Sequence, residues 1–469
     1  MDKRATRRMI GVVCLVLLIG QVTFAQERDS ARTLLDINQA IQMKGATWEA
    51  APSPVADLPV DSLCGSVLHP EAQAAILAGP KTSTEGAPSG SPATFDWRTY
   101  GGHDWTTPIR NQNPCGSCYI FGTCAAAEAS MKKQAGTYGY LAQPDFSEQF
   151  ILSCNGWSCT GGYSGDTLNY LKNSGAPDED CFPYTAQDTT PCSNRCSNWD
   201  QRLRKISNWG HPGGYPNFNP SVAQIKTAIE TYGPVSTYMM VYTDFFYYST
   251  GVYEQSWGSE EGGHTVTLVG WNDSQQCWYA KNSWGTNWGE TAAMTARTGT
   301  TDGGWFRIKW GECSIEYQTE WVQASMANLT DYPHSGWTYS LVPRNSTGAT
   351  WASCTLPATL TGNSTTYLNF AGINNGGVAA APFLARMYMD GVYKRWVTWG
   401  SVGAGGGFWA GDQPIDVSGG RHTPGAYIDF NNEVWESNET DYGYNYDNTE
   451  YRQFVWSPYG LPDLSLIHI

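Results

Sequence analysis

Charge is scarce in this chain. Only 15% of its 469 residues are charged, and 28 basic side chains face 43 acidic ones, for a net charge of −15. That balance excludes a basic footprint for nucleic acid. It suits a soluble protein without naming a partner. Long apolar runs are also missing: the one such stretch, Met9 to about Leu18, is short of the roughly 20 residues a membrane-spanning helix needs. No internal repeat is long enough to suggest an array. Low charge does not mean disorder here, because aromatic residues reach 13% and Trp alone numbers 21. Glycine is plentiful, 51 residues, which favours turns and short strands over long helices. The length allows two or three domains.

The meaning of the 13 cysteines depends on the compartment. Lys3, Arg4, Arg7 and Arg8 precede the apolar run, and Thr23-Phe24-Ala25 places small residues where a signal peptidase reads. This pattern predicts a secretory signal cut after Ala25, in preference to an uncleaved anchor. Cys14 lies inside the run without a good context for lipid attachment. The mature protein is therefore expected outside the cell, without a membrane span and able to form disulfides.

Residues 26–93 divide in two. Leu34, Leu35, Ile37, Ala40 and Ile41 give the stretch from Ser30 to Trp48 a helical period. From Ala51 to Ala93 the chain is rich in Pro, Ala, Gly and Ser, and its end reads as an exposed, cleavable linker. Past Phe95, Trp, Cys and Gly become dense. An Ala-rich helix runs from Ser117 and Cys118 to a stop at Gly136, with Lys132 and Lys133 in its last turn. Further helices are expected near Ser147–Cys154, Asp166–Asn173 and Ser221–Thr231. After Gly233-Pro234 come strands: VSTYMMVY, HTVTLVGW, CWYAKNSW and GWFRIKW. Helices first and strands later predict an α+β unit with two lobes of different character. From residue 335 onward the helical pattern vanishes and short strands bounded by turns predict an all-β sandwich over 335–463.

The sharpest segment is Asn111 to Tyr119, NQNPCGSCY. Its Cys-x-x-Cys pair could hold zinc, act as a redox couple or supply a structural half-cystine. Zinc would want a second pair. Cys118 instead opens a helix, whose N-terminal dipole stabilises a thiolate, and this favours a nucleophile. An activated thiol needs a base, and the base needs an orienting group. Among the seven histidines, His69 lies in the segment expected to be removed and His468 in the last two residues. His103, His211, His334 and His422 lie in loop-like stretches. His264 alone opens a strand, and Asn282 lies on the next one, so an imidazole and an amide can come side by side.

From about Thr94 to Trp321 these motifs, taken in order, resemble the papain-like cysteine peptidases. The matching pieces are FDWR (95–98), Gln112 with CGSCY (115–119), SCTGG (158–162), CFPYTA (181–186), YGPVS (232–236), FFYYSTGVY (245–253), GGHTVTLVGW (262–271), YAKNSWGTNWGE (279–290) and CSIE (313–316). The resemblance implies a helical lobe and a β-barrel-like lobe with the cleft between them. It implies Cys118 as nucleophile, His264 as general base and later acid, Asn282 as the orienting amide and Gln112 as side-chain oxyanion donor beside the Cys118 N–H. Trp284 would shield the His–Asn hydrogen bond. Gly161 and Gly162 would bind an extended substrate backbone. Tyr163, Ser164, Tyr238, Thr265 and Gln318 would wall the pocket for the second substrate side chain. Protein or peptide substrates follow, with no cofactor and no metal. The implied disulfides are Cys115–Cys159, Cys154–Cys192 and, as a weaker third, Cys181–Cys196; Cys124 would stay a buried thiol.

Three departures stand out. Tyr119 follows the nucleophile where Trp is more usual. A Thr-, Ala- and Gly-rich insertion, Thr291–Gly303, reads as a surface loop. The stretch before His264 has no Cys, which leaves Cys313 without an obvious partner. INQAIQMKGATWEA (37–50) resembles the short prosegments of cathepsin-B-like relatives, with Trp48 as its apolar anchor, so residues 26–93 should be a propeptide lying across the cleft. Relatives that trim dipeptides carry a long His-containing loop. Lys205–Gly233 holds only His211 and a short turn, so the enzyme should be an endopeptidase. The C-terminal region resembles bacterial adhesion-related Ig-like modules, which bind a surface or another protein. Asp429, Glu433, Glu436, Glu439 and Asp441 there suit calcium or, as the favoured reading, a solvated loop. Residues 464–469 resemble a translated adaptor and read as an artificial tail.

Overall fold

The computed structural model describes residues 32–78, 90–135, 144–290, 303–377, 379–380, 382–429 and 449–457. The expected signal peptide, the insertion after Glu290, most of the acidic cluster and the last twelve residues lie outside these.

The N-terminal periodicity forms helix α1 over 32–44. Two short helices follow, α2 (Val60–Leu63) and α3 (Pro70–Leu77). Of the linker expected at the end of this stretch, 81–93, the described residues 90–93 are largely exposed; ahead of it Val55, Leu63, Cys64, Ser66 and Ala72 are buried. Pro and small residues here let an extended chain fit a narrow groove rather than keeping it in solvent.

The helical lobe holds α4 (Cys118–Ala135), α5 (Glu148–Cys154) and α6 (Ser164–Asn173). Ser147 caps α5 by accepting the Phe150 N–H. These helices share a core with Tyr119, Ile120, Cys124, Phe150, Leu168 and Leu171. Disulfides Cys115–Cys159, Cys154–Cys192 and Cys181–Cys196 staple the lobe, all three as the resemblance implies. Cys124 is a buried free thiol.

The second lobe adds α7 (Val222–Tyr232), opened by a capping box between Ser221 and Gln224. The strands of the two lobes begin with β1 (Glu49–Ala50), β2 (Thr94–Asp96) and β3 (Lys205–Gly210). They continue through β4 (Val235–Tyr242), β5 (Tyr248–Thr250), β6 (Val252–Tyr253), β7 (Glu260–Asn272), β8 (Cys277–Lys281), β9 (Trp305–Lys309) and β10 (Trp321–Ser325). The sheet order is β2-β7-β8-β9-β6, with β4 also on β7. β7 starts at Glu260, so His264 lies within the strand rather than opening it. β10 pairs with β3 and closes the helical lobe, and its Val322 and Ala324 enter that core.

The rest is all β. Its strands are β11 (Leu329–Asp331), β12 (Leu341–Arg344), β13 (Leu360–Thr361), β14 (Ser364–Asn374), β15 (Phe383–Met389) and β16 (Val392–Trp399). After them come β17 (Gly407–Val417), β18 (Gly420–His422), β19 (Pro424–Ile428), β20 (Thr449–Tyr451) and β21 (Phe454–Ser457). One sheet joins β11, β14, β12 and β17, and another has the order β16-β15-β19-β20. Phe370, Phe383, Met387, Phe408 and Ile428 place both around one core. His422 lies on β18 rather than in a loop. Asp429 is 1% exposed, so the reading of its cluster as a solvated loop fails at that residue.

Candidate active site

Cys118 is the first residue of α4, at the positive end of the helix dipole. The turn before it is held tightly. Cys115 is tied to Cys159, and the Cys115 N–H donates to the Gln112 carbonyl at 3.0 Å. The Gln112 N–H donates to the Ser283 carbonyl at 2.9 Å, linking this turn to the sheet lobe. The Ser283 hydroxyl also donates to Gln112 Oε1 at 2.7 Å. That bond fixes which way the amide faces, so Gln112 Nε2 points into the cleft. Ser283 is a positioning residue that sequence reasoning missed.

His264 and Asn282 arrive from β7 and from the end of β8. His264 Nε2 lies 2.8 Å from Asn282 Oδ1, which also accepts the Ser283 N–H at 2.8 Å. An amide oxygen only accepts, so His264 carries its proton on Nε2 and leaves Nδ1 as the basic nitrogen. Nδ1 is buried and has no hydrogen-bond partner. The Leu63 carbonyl lies near enough to favour protonation of the ring without forming such a bond. Trp284 covers the pair, its ring 4.9 Å from the imidazole.

The cleft is filled by the chain's own residues 62–69. The Gly65 N–H lies 3.3 Å from Cys118 Sγ. Gln112 Nε2 faces the Ser62 and Leu63 carbonyls at 3.3 and 3.2 Å. Gly162 takes part through both backbone groups, donating to the Gly65 carbonyl at 2.9 Å and accepting the Val67 N–H at 3.0 Å. Gly161 packs on Gly65, where a Cβ would meet the Gly65 oxygen at 2.4 Å. The Ser66 N–H donates to the Gly263 carbonyl, and Tyr238 lies over Gly263. Thr265 donates to the Ser66 hydroxyl at 2.8 Å. Gln318 accepts the His69 N–H at 2.7 Å and donates to Ser164 at 3.0 Å. Tyr163 stands exposed at the position before α6, with no side-chain bond to the helix end.

Burial sets the protonation states. It raises the Cys118 thiol to about 11 and lowers His264 to about 4. Backbone N–H groups on the sulfur and the Asn282 bond oppose these shifts. At neutral pH the covered pair is thus thiol and neutral imidazole. Sequence reasoning also missed Glu320, 1% exposed, which accepts from Ser164 at 2.7 Å and Ser236 at 2.9 Å. Burial raises its carboxyl to about 7. No local signal in the sequence distinguishes it from a surface glutamate. Among the described residues, no group of His, Cys, Asp and Glu is arranged to hold a metal ion.

Residues 91–323 match the family described as papain family cysteine protease. Cathepsin B-like cysteine proteinase 3 of Caenorhabditis elegans is 33% identical over 271 residues, covering 53% of this chain and 68% of that protein. The chain belongs to the papain family of cysteine proteases. Cathepsin B-like CP2 of Giardia intestinalis is 29% identical over 238 residues, covering 48% of this chain and 72% of that protein. Among solved structures, proCathepsin B S9 from Trypanosoma congolense aligns with 62% of this chain and 97% of that chain at 22% identity, with a TM-score of 0.48. This papain-family peptidase is a hydrolase with a disulfide-stapled helical lobe. No helix among its described residues is long and apolar enough to cross a membrane.

Proposed function

We propose that the chain is an exported precursor of a cysteine endopeptidase, with Cys118 as nucleophile. The observation that carries this reading is the convergence of Cys118, His264, Asn282 and Gln112 from separate elements at a cleft that residues 62–69 fill. Once that segment leaves, water returns. The thiol falls and the imidazole rises toward their ordinary values, the gap between them narrows, and His264 Nδ1 takes the Cys118 Sγ proton as the sulfur attacks. The thiolate attacks a substrate peptide carbonyl. Its oxyanion takes hydrogen bonds from Gln112 Nε2, which the Ser62 and Leu63 carbonyls now face, and from the Cys118 N–H. His264 returns the proton to the leaving amine, and water hydrolyses the thioester with His264 as base.

Gly161 and Gly162 would hold an extended peptide, as Gly162 holds residues 65–67. Ser164, Tyr238, Thr265 and Gln318 would form the side-chain pocket, with Tyr163 at its rim. Residues 26–93 act as propeptide, the N-terminal run as secretory signal and the C-terminal β unit as an Ig-like module that binds a surface or another protein. The test is active-site labelling with an epoxide thiol inhibitor after acid treatment. Labelling of wild type and none of Cys118→Ala is expected; equal labelling of both would remove the assignment. A fluorogenic library should show internal cleavage with medium apolar residues favoured at the second position. Release mainly of C-terminal dipeptides would contradict the endopeptidase reading.

A further inference from the structure

Six cysteines outside the disulfides are described: Cys64, Cys118, Cys124, Cys277, Cys313 and Cys354. Two of them meet at one place. Cys64 belongs to the segment that fills the cleft, and the Gly65 N–H next to it donates to Cys118 Sγ at 3.3 Å. Two backbone bonds separate that nitrogen from the Cys64 Cα, so this carbon lies within about 6 Å of the Cys118 sulfur. The Cys64 carbonyl lies 3.3 Å from where a Gly116 Cβ would stand, just before the start of α4. The Cys64 side chain is turned toward Gly262, its Sγ 3.7 Å from that residue's Cβ position. Gly262 lies two residues before His264, on the opposite wall of the cleft. The Cys64 Cβ is nearer still, 2.9 Å from that Cβ position, so turning Sγ toward Cys118 takes a change of rotamer together with a small shift of the segment's backbone. Both thiols are buried in the closed precursor, at 8% and 0% exposure, so a small disulfide reaches Cys118 when the segment lifts and the cross-link closes when it returns.

We infer that Cys64 is an oxidation site that forms a disulfide with Cys118 and latches the precursor shut. The co-reactant is a low-molecular-weight disulfide. The Cys118 thiolate attacks one of its sulfurs, which forms a mixed disulfide and releases one small thiol. The Cys64 thiolate then attacks the Cys118 sulfur, which forms the Cys64–Cys118 bond and releases the second small thiol. Two electrons and two protons leave the protein, and the small disulfide becomes two thiols. In this state a cut anywhere between residues 79 and 96 leaves residues 62–69 covalently attached to Cys118. Release then needs a reductant as well as acid. The activity consequence rests on Cys118 being the nucleophile; the cross-link does not.

The experiment uses the full chain, incubated at pH 8 with glutathione disulfide, alkylated with iodoacetamide and digested for peptide mass analysis. The expected product is one cross-linked pair containing Cys64 and Cys118, with hydrolysis after acid treatment lost until dithiothreitol is added. Cys64→Ser and Cys64→Ala should lose the cross-link and carry glutathione on Cys118 instead. Wild type with glutathione on Cys118 and alkylated Cys64, or with Cys64 joined to another cysteine, would overturn the inference. A Cys64–Cys118 cross-link in a chain that never hydrolyses peptides would leave the latch standing and remove the proposed function.

Discussion

Gly65 shows how narrow the fit over Cys118 is. A methyl group at this position would stand 1.8 Å from the Gly116 carbonyl oxygen, against backbone that cannot swing aside. Gly65→Ala should therefore cost about 1–3 kcal/mol in closure, about 5- to 150-fold in the closed–open equilibrium. Faster loss of the precursor band on acid treatment checks this; an unchanged rate would contradict it. The imidazole sets the direction of the pH effect. His264 is lowered to about 4 while covered and moves back toward 6.5 when water returns. The open state therefore binds more protons between those values, and acid favours opening. Processing followed on gels should quicken as pH falls from 6.5 to 4. A rate that peaks near pH 8 would show that another group controls closure.

At the scale of elements, periodicity and caps made α4 to α7 and the main strands readable. Ser147 and Ser221 stand as N-caps of their helices, and near-continuous burial in β4 and length in β7 mark a sheet core. The site residues were legible because Cys118, His264 and Asn282 lie in ordered motifs. The contacts of residues 62–69 were not, because a Pro-, Ala- and Gly-rich stretch carries no period that marks which groups meet the cleft. Ser283 and Glu320 were hidden too, because hydrogen bonds across the cleft leave no period along the chain. Glu320 makes a measurable element-level claim. Its folded value of about 7 lies above the ordinary 4.5, so the folded state holds the proton more tightly. Its stabilising contribution is full below pH 4.5 and is lost as pH rises through 7, on the order of 3 kcal/mol in all. Thermal unfolding of a Cys118→Ala chain should show Tm falling from pH 5 to 8, with a smaller fall after Glu320→Gln. Equal slopes would show that Glu320 does not titrate in this range.

The whole molecule is two cores with a cleft between them, a segment of its own chain in that cleft and a β unit behind. β10 decides where the peptidase ends. It pairs with β3, and Met326 packs in the helical lobe's core, whereas Ala327 belongs to the β core. A chain ending at Asn328 should fold and keep its kcat/KM on a small peptide. One ending before Trp321 should lose the β3 partner and precipitate. Comparable solubility of both would mean that β10 is dispensable. N-terminal sequencing of the active form should start between Gly79 and Asp96, since residues 62–69 must go for substrate to enter. The central claim is that Cys118 performs the chemistry. Hydrolysis of a fluorogenic peptide by acid-treated wild type, Gln112→Ala and Cys118→Ala tests it most directly. Loss of one oxyanion donor in Gln112→Ala should cost on the order of 10²–10³ in kcat, and Cys118→Ala should show no turnover. Undiminished hydrolysis by Cys118→Ala would contradict the account.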